Sequence, residues 1–180
     1  MRIQNTDLAL EKGDITCQGT DAIVNAANSS LRGGGGVDGA IHRAGGPRIL
    51  EECTAIGGCE TGDAVITSGG NLKAPFVIHT VGPIWRGGKS GEPELLRSCY
   101  LGSLEIAAEK KLASVAFPSI STGAYGYPVS VAAEIALSAV KEFIESRETT
   151  IRKVVFVLFD DGTLKAYQKA LSKISLSTPR

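Results

Sequence analysis

The run at residues 154–159 (Val-Val-Phe-Val-Leu-Phe) is apolar at every position and has the length of a strand. A strand with one face in water alternates apolar and polar residues, whereas a strand covered on both faces need not alternate. The run therefore predicts a sheet that has a packed layer on each side.

Five further strand patterns precede that run, at residues 8–11, 22–25, 64–67, 76–81 and 114–117, and they alternate with helical patterns. The clearest helix begins at Pro128, which suits a first helical position, and its apolar residues keep the i, i+3, i+4, i+7 spacing as far as Ile144. Further helices are predicted over about residues 38–55, 96–108 and 163–174. The alternation predicts an α/β domain with helices on both faces of the sheet, where ligands bind at the carboxyl ends of strands.

Size and charge narrow the kinds of partner. A length of 180 residues is typical of one domain, so residues 1–180 are predicted to form a single unit. Nineteen basic residues balance nineteen acidic ones, and aromatic residues are only 6% of the chain, so binding to nucleic acid or to a membrane surface is not expected. No apolar stretch approaches the roughly 20 residues of a membrane span.

The cysteines and the first residues bear on metal binding and location. The four cysteines form no C-x-x-C pair and have no histidine at ligand spacing, so no metal site is predicted. Isolated thiols, together with first residues that lack the apolar segment of a secretory signal, favour a reducing, cytoplasmic location.

A glycine run, Gly33–Gly36, stands just before the first predicted helix and is followed by Val37 and Asp38. Glycine lets backbone N–H groups approach a ligand closely, and a helix N-terminus favours an anion. The run predicts a pocket for a phosphate-bearing nucleotide. A flexible surface loop is the less favoured interpretation, because flexible linkers usually contain serine and do not lead directly into a helix.

Two common nucleotide motifs fit the chain poorly. Residues 34–39 have the spacing G-x-G-x-x-G, but that fingerprint follows its strand directly, and here residues 25–32 intervene. Residues 88–90 (Gly-Lys-Ser) resemble the end of a P-loop, but Gly82 lies one residue too far upstream. Neither a dehydrogenase nor a P-loop enzyme is favoured.

Two other loops are candidates for the same pocket. Residues 119–127 follow the fifth predicted strand and combine hydroxyls with glycines, which suits backbone contacts to phosphate. In residues 13–16, Asp14 accepts hydrogen bonds only, which suits the amino group of adenine. An aspartate that caps a turn is an equally good interpretation of Asp14.

The motifs of these loops resemble the signature loops of macro domains, and the likeness covers nearly the whole chain. It is carried by residues 13–16 (Gly-Asp-Ile-Thr), 25–28 (Asn-Ala-Ala-Asn), 33–42, 79–83 (His-Thr-Val-Gly-Pro) and 120–126. The closest branch is that of bacterial O-acetyl-ADP-ribose deacetylases and related MacroD-type mono-ADP-ribosyl hydrolases. The resemblance implies a three-layer α/β/α sandwich around a mixed sheet of about six strands, and the motifs call for no cofactor and no metal.

The resemblance also implies a role for each loop residue. Asp14 and the backbone of Ile15 would bind adenine, and Phe159 would pack against it. Asn28 and Asp38 would reach the distal ribose, where the chemistry occurs. The diphosphate and the distal ribose would lie between two walls, Gly35, Gly36 and Val37 on one side and Ser121, Thr122, Gly123, Ala124 and Tyr125 on the other.

Asp38 is the candidate catalytic residue, with Asn28 as its partner. The dipole at a helix N-terminus favours a charged carboxylate, which suits a base or a water-orienting group. His42 lies four residues later on the same helix face, and an orienting role and a packed histidine are both open. His79, in an apolar strand, is expected to be a core residue.

The sequence leaves two functions open. The first is a hydrolase for esters of ADP-ribose, either O-acetyl-ADP-ribose or mono-ADP-ribose on Glu or Asp of proteins. The alternative is a module that binds ADP-ribose without turning it over, since a fold alone does not decide between them. The presence of both Asn28 and Asp38 favours the hydrolase.

Overall fold

A computed structural model describes residues 1–176, and these residues build one mixed sheet of seven strands. The strands are β1 (Arg2–Ile3), β2 (Thr6–Lys12), β3 (Ala22–Ala26), β4 (Ala64–Ser68), β5 (Phe76–Thr80), β6 (Ser114–Phe117) and β7 (Lys153–Leu158). Their order across the sheet is β1-β2-β7-β6-β3-β5-β4. The inner strands are parallel, and β1 and β4 pair antiparallel at the two edges. The carboxyl ends of the five parallel strands therefore lie along one side of the sheet.

Five α-helices connect or follow the strands. They are α1 (Gly36–Gly45), α2 (Pro47–Ile56), α3 (Glu92–Glu109), α4 (Val129–Ser146) and α5 (Asp161–Leu176), and a short 3-10 turn at Ile15–Cys17 follows β2. Within residues 1–176, none of the helices combines the length and the apolar character that crossing a membrane requires.

Strand β7 shows why the molecule has three layers. Val154, Phe156 and Leu158 are buried in a cluster with residues of α3, α4 and α5. The alternate residues Val155 and Val157 are buried in a second cluster with residues of α1 and α2. Successive side chains of a strand point to opposite faces, so both faces of β7 are covered by helices. The predicted α/β/α sandwich with a mixed sheet is confirmed.

Three details of the structure differ from the predicted fold. The sheet has seven strands where about six were predicted, because β1 is only two residues long and too short to show a pattern. The helix predicted over residues 38–55 is two helices, α1 and α2, separated at Gly46. Gly46 has a left-handed φ of 78°, and Pro47, which has no N–H, begins α2. Similarly, Pro128 is the residue before α4 rather than its first residue.

Candidate functional site

A cleft with two connected compartments lies where the parallel strands end. The first compartment, of about 460 Å³, lies between the loops after β2 and β7, and the second, of about 330 Å³, lies beside the loop after β3. Gly36, Val37, Ser119 and Gly123 line both compartments, so the two form one continuous site. The helix α1 and the loop between β6 and α4 are its two long walls.

The structure brings together on this cleft all the residues that the resemblance implied. The first compartment is lined by Asp14, Ile15, Gly36, Val37, Thr122, Gly123 and Phe159. The second is lined by Asn28, Gly35, Gly36, Val37, Asp38, Ser121, Gly123, Ala124 and Tyr125. His42 lines neither compartment and packs beside Asp38 instead.

The first compartment offers an aromatic surface and a hydrogen-bond acceptor. Phe159 directly follows β7 and keeps 82% of its surface exposed, although it is a large apolar side chain. Asp14 caps the 3-10 turn: its Oδ1 accepts from Thr16 N at 2.9 Å and from Thr16 Oγ1 at 2.7 Å. Neither bond uses Asp14 Oδ2, so a capping role and a ligand-binding role are compatible.

The N-terminus of α1 is suited to an anion. Its cap residue is Gly35, and no side chain of the described residues accepts from the first turn of the helix. Gly36 has a left-handed φ of 56°, which glycine adopts without steric cost. The first N–H groups of a helix have no partner within the helix and carry part of its positive dipole. A phosphate in the cleft would meet these groups.

The opposite wall contains a strained residue. Ser121 has a φ of 65°, a conformation that costs an L-residue roughly 1–2 kcal/mol. Its carbonyl accepts from Tyr127 N at 2.9 Å, and its buried hydroxyl has no hydrogen-bond partner within residues 1–176. Strain of this kind persists where the surrounding structure holds it, and it is common at ligand sites. Ser121 lines the second compartment.

Asp38 and Asn28 face one small region of the second compartment. Asp38 is only 5% exposed, and its Oδ1 accepts from Asn25 Nδ2 at 2.8 Å. The amide of Asn28 is fixed, because Nδ2 donates to Gly33 O at 2.7 Å and Oδ1 accepts from Ser30 Oγ at 2.7 Å. A methyl group placed on Gly34 would lie 3.2 Å from Asp38 Oδ2 and 3.4 Å from Asn28 Nδ2. Glycine at position 34 therefore leaves the space next to both groups open.

His42 contacts the same carboxylate without a hydrogen bond. Its Nε2 lies 3.4 Å from Asp38 Oδ1, and this buried nitrogen has no hydrogen-bond partner among the described residues. His79 is fully buried, as expected of a core residue, but it belongs to a polar group. Its Nδ1 lies 3.1 Å from Asn25 Nδ2, and its Nε2 lies 2.9 Å from Thr67 Oγ1.

The fold also gathers His42, Cys53 and His79, whose possible ligand atoms lie within 4.8 Å of one another. Spacing along the chain did not predict this cluster. Burial, followed by the charges of Asp38 and Glu52, raises the pKa of Cys53 to about 11, so Cys53 is a neutral thiol at neutral pH. Its Sγ lies 3.7 Å from His79 Nε2, inside the second hydrophobic cluster.

Sequence reasoning missed several residues of the site. Arg43, one turn beyond Ala40 on α1, lines the first compartment together with Asp160 and Thr163. The helical spacing of Val37, Ala40 and Arg43 was visible and could have placed Arg43 on this wall. Asn25 was visible within a motif, but its contact with Asp38 depends on how the strand and helix pack.

A sheet covered on both faces, with a glycine-rich helix start and a hydroxyl-rich loop at its carboxyl edge, defines an α/β domain built to bind a phosphate ligand. The family model of the Macro domain matches residues 24–136, and the chain belongs to that family.

Three known proteins show the extent of the similarity. The macro domain-containing protein CT2219 of Chlorobaculum tepidum is 60% identical over 161 residues, 89% of this chain and 93% of that protein. An O-acetyl-ADP-ribose deacetylase of Citrobacter rodentium is 52% identical over 173 residues, 94% of this chain and 97% of that protein. The structure of an Oceanobacillus iheyensis macrodomain with ADP superimposes with a TM-score of 0.95 at 44% identity, covering 99% of this chain and 96% of that one.

Proposed function

We propose that the chain binds ADP-ribose in this cleft and hydrolyses an ester at the distal ribose. The substrates are O-acetyl-ADP-ribose, mono-ADP-ribose esters on Glu or Asp of proteins, or both. The observation that carries the proposal is the convergence of the buried carboxylate of Asp38 and the fixed amide of Asn28 on one open space beside the start of α1. A relative that is 52% identical over almost its whole length bears the name O-acetyl-ADP-ribose deacetylase, which supports the same activity.

The first compartment suits the adenosine half of the ligand. Phe159 can stack on the adenine ring, and stacking would cover a side chain that folding leaves 82% exposed. Asp14 Oδ2 can accept from the adenine amino group, and the backbone of Ile15 lies on the same wall. The diphosphate then lies between the N-terminus of α1 and residues 121–125, where backbone N–H groups and the helix dipole favour negative charge. Arg43 adds a positive side chain to this compartment.

The second compartment suits the reacting end. Asp38 accepts a proton from a water molecule as the water oxygen attacks the ester carbon, and the ester C–O bond breaks. That proton then passes to the leaving oxygen, so the products are a carboxylic acid and ADP-ribose. Asn28 can hold a ribose hydroxyl or the water, because an amide both donates and accepts. Backbone N–H groups of the two loops would meet the charge that develops on the oxygen.

The test measures product release and binding separately. Purified protein is incubated with O-acetyl-ADP-ribose and with a protein that carries mono-ADP-ribose on glutamate, and calorimetry gives the Kd for ADP-ribose. We expect Asp38→Asn to lower kcat by at least about a hundredfold while the Kd changes little, because the substitution keeps the shape of the side chain and removes the base. We expect Asp14→Asn to act in the opposite way and weaken binding more than it lowers kcat.

The outcomes separate the candidate functions. Tight ADP-ribose binding without product release from either substrate would show a binding module rather than a hydrolase. If ADP-ribose does not bind at all, both functions are wrong. Equal activity of Asp38→Asn and the wild type would show that Asp38 is not the base and would point to a contaminating hydrolase.

A further inference from the structure

We propose that Asn25, His79 and Thr67 form a one-directional chain of buried hydrogen bonds that positions Asp38. The three residues are positioning residues rather than catalytic ones, because the chain reaches the cleft only through Asp38. This inference rests on the proposed function, in which Asp38 directs the attacking water.

The residues belong to three neighbouring strands. Asn25 on β3 is directly opposite His79 on β5, and Thr67 on β4 is the diagonal neighbour of His79. The side chains are all buried, with exposed fractions of 0% for Asn25, 0% for His79 and 3% for Thr67. Diagonal side chains on one face of a sheet lie within reach of one another when they are long, which explains how the chain crosses two strand boundaries.

Each hydrogen bond fixes the direction of the next one. An ionised carboxylate only accepts, so the group of Asn25 that lies 2.8 Å from Asp38 Oδ1 must be the NH₂ group. The same nitrogen lies 3.1 Å from His79 Nδ1, which must therefore be unprotonated. A neutral imidazole then carries its proton on Nε2, which donates to Thr67 Oγ1 at 2.9 Å. The Thr67 hydroxyl donates onward to Ser68 O at 3.0 Å.

This sequence of donors and acceptors fixes the orientation of the Asn25 amide. Rotating the amide by half a turn would place Oδ1 against the Asp38 carboxylate and against the His79 lone pair. The buried Asn25 Oδ1 has no partner in the described part of the chain, so the orientation is retained for the two N–H bonds.

The hydrogen-bond chain also gives the two carboxylate oxygens of Asp38 different roles. Asp38 Oδ1 accepts from Asn25 and lies 3.4 Å from His42 Nε2. Asp38 Oδ2 is the oxygen nearest to the methyl position of Gly34 and thus to Asn28. Anchoring Oδ1 leaves Oδ2 directed at the open space where the water would bind. In metal sites, mutating a residue that hydrogen-bonds to a metal ligand often lowers activity roughly tenfold or more. Asn25 holds the carboxylate of Asp38 by a hydrogen bond in the same way.

The test changes Thr67, the residue of the hydrogen-bond chain that lies farthest from the cleft. A substitution there does not change the lining of the cleft. Thr67→Val keeps the branched shape but deletes the acceptor for His79 Nε2. We expect kcat to fall roughly tenfold and the Kd for ADP-ribose to stay within about twofold. Thr67→Ser restores the hydroxyl and should restore kcat. In an Asp38→Asn background, Thr67→Val should have almost no further effect on kcat, because it acts through Asp38.

Thr6→Val is the matched control. Thr6 is 1% exposed, and its hydroxyl donates to Ile151 O at 2.7 Å, so the variant also loses one buried hydrogen bond of a threonine. Thr6 begins β2, at the end of the sheet opposite the cleft. A fall in kcat of Thr67→Val no larger than that of Thr6→Val would overturn the proposal, and so would additive effects of Thr67→Val and Asp38→Asn.

A second measurement does not depend on turnover. The ¹⁵N shifts of the His79 ring in the ligand-free wild type report which nitrogen carries the proton, and we expect the Nε2–H tautomer. An Nδ1–H tautomer would overturn the proposal even if the protein is an active hydrolase. If the protein binds ADP-ribose but releases no product, the proposed function and the catalytic purpose of the chain are both wrong, and the tautomer decides whether the chain of hydrogen bonds exists.

Discussion

Phe159 is a large apolar side chain that folding leaves almost entirely in water, at the edge where the parallel strands end. Replacing it by alanine should change the free energy of unfolding by no more than about 0.5 kcal/mol, because little of the side chain is buried. Stacking on adenine would be lost, so the Kd for ADP-ribose should rise roughly tenfold, about 1.4 kcal/mol. Calorimetry with ADP-ribose measures the change.

Leu50→Ala is the control for Phe159→Ala, since Leu50 is an apolar residue of α2 that is 40% exposed and lies outside the cleft lining. It should leave the Kd unchanged. A Kd for Phe159→Ala equal to that of the wild type would show that adenine does not stack on this ring.

The residues that could be predicted from sequence are those that a single loop brings together. Asp38 lies at a helix start just after the glycine run Gly33–Gly36, so a short stretch of sequence is enough to predict its place in the cleft. His79 and Thr67 are different, because their contact with Asn25 exists only through the pairing of β3, β5 and β4. A histidine in an apolar strand shows only that it is buried, and not which groups it meets.

At the scale of elements, the loop before α3 is held by one carboxylate. Glu92 is 2% exposed and accepts from Arg86 N at 3.1 Å, Gly88 N at 2.6 Å and Ser90 N at 2.7 Å. Burial raises the pKa of Glu92, but the backbone N–H bonds lower it by more, so the pKa is below its usual value. The loop borders the cleft through Trp85, whose backbone N–H donates to Tyr125 O at 2.9 Å.

Glu92→Gln should loosen this loop. The amide has a single acceptor oxygen, and its NH₂ group cannot accept from the backbone. We expect faster hydrogen exchange at the amides of Arg86, Gly88 and Ser90 and a lower Tm, measured by NMR exchange and thermal unfolding.

Glu94→Gln is the matched control for Glu92→Gln, because it is an exposed glutamate in the same first turn of α3. In Glu94→Gln the amides of Arg86, Gly88 and Ser90 should exchange as in the wild type. If the protection of those amides is the same in Glu92→Gln and Glu94→Gln, the carboxylate does not hold the loop.

The elements themselves were predictable in proportion to their length. The 18 residues of α4 show a sustained apolar stripe, and the alternation of strands and helices was enough to predict the three layers. The break between α1 and α2 was missed because the apolar spacing continues across it. The sequence signal for this break is residues 45–47 (Gly-Gly-Pro). Gly46 adopts a positive φ, and Pro47 has no N–H with which to continue the first helix.

At the scale of the whole molecule, folding removes His79 from water between the sheet and α1 and α2. Burial, followed by the nearby ring of His42, lowers the pKa of His79 to about 4, although Glu52 acts in the opposite direction. Between the carboxylate of Asp38 and the ring of His79 lie the amide of Asn25, which contacts both, and the ring of His42. An unfolded chain would have an ordinary histidine at this position, with a pKa near 6.5.

The sign of the effect on stability follows from which state binds the proton. Between pH 6.5 and pH 4 the unfolded state protonates His79 and the folded state does not, so stability falls as the pH falls through this window. The loss reaches about 3 kcal/mol at pH 4 and then levels off, because below that pH both states are protonated.

Denaturant unfolding of the wild type and of His79→Gln from pH 7.5 to pH 4 measures this loss of stability. Both proteins have the same carboxylates, so most of the difference between their two curves comes from His79. We expect His79→Gln to lose less stability than the wild type on acidification, because an amide does not take up a proton in this range. Parallel curves would show that His79 titrates in the folded protein as it does in the unfolded chain. In that case an NMR titration of its ring protons should show a midpoint near pH 6.5 rather than near pH 4.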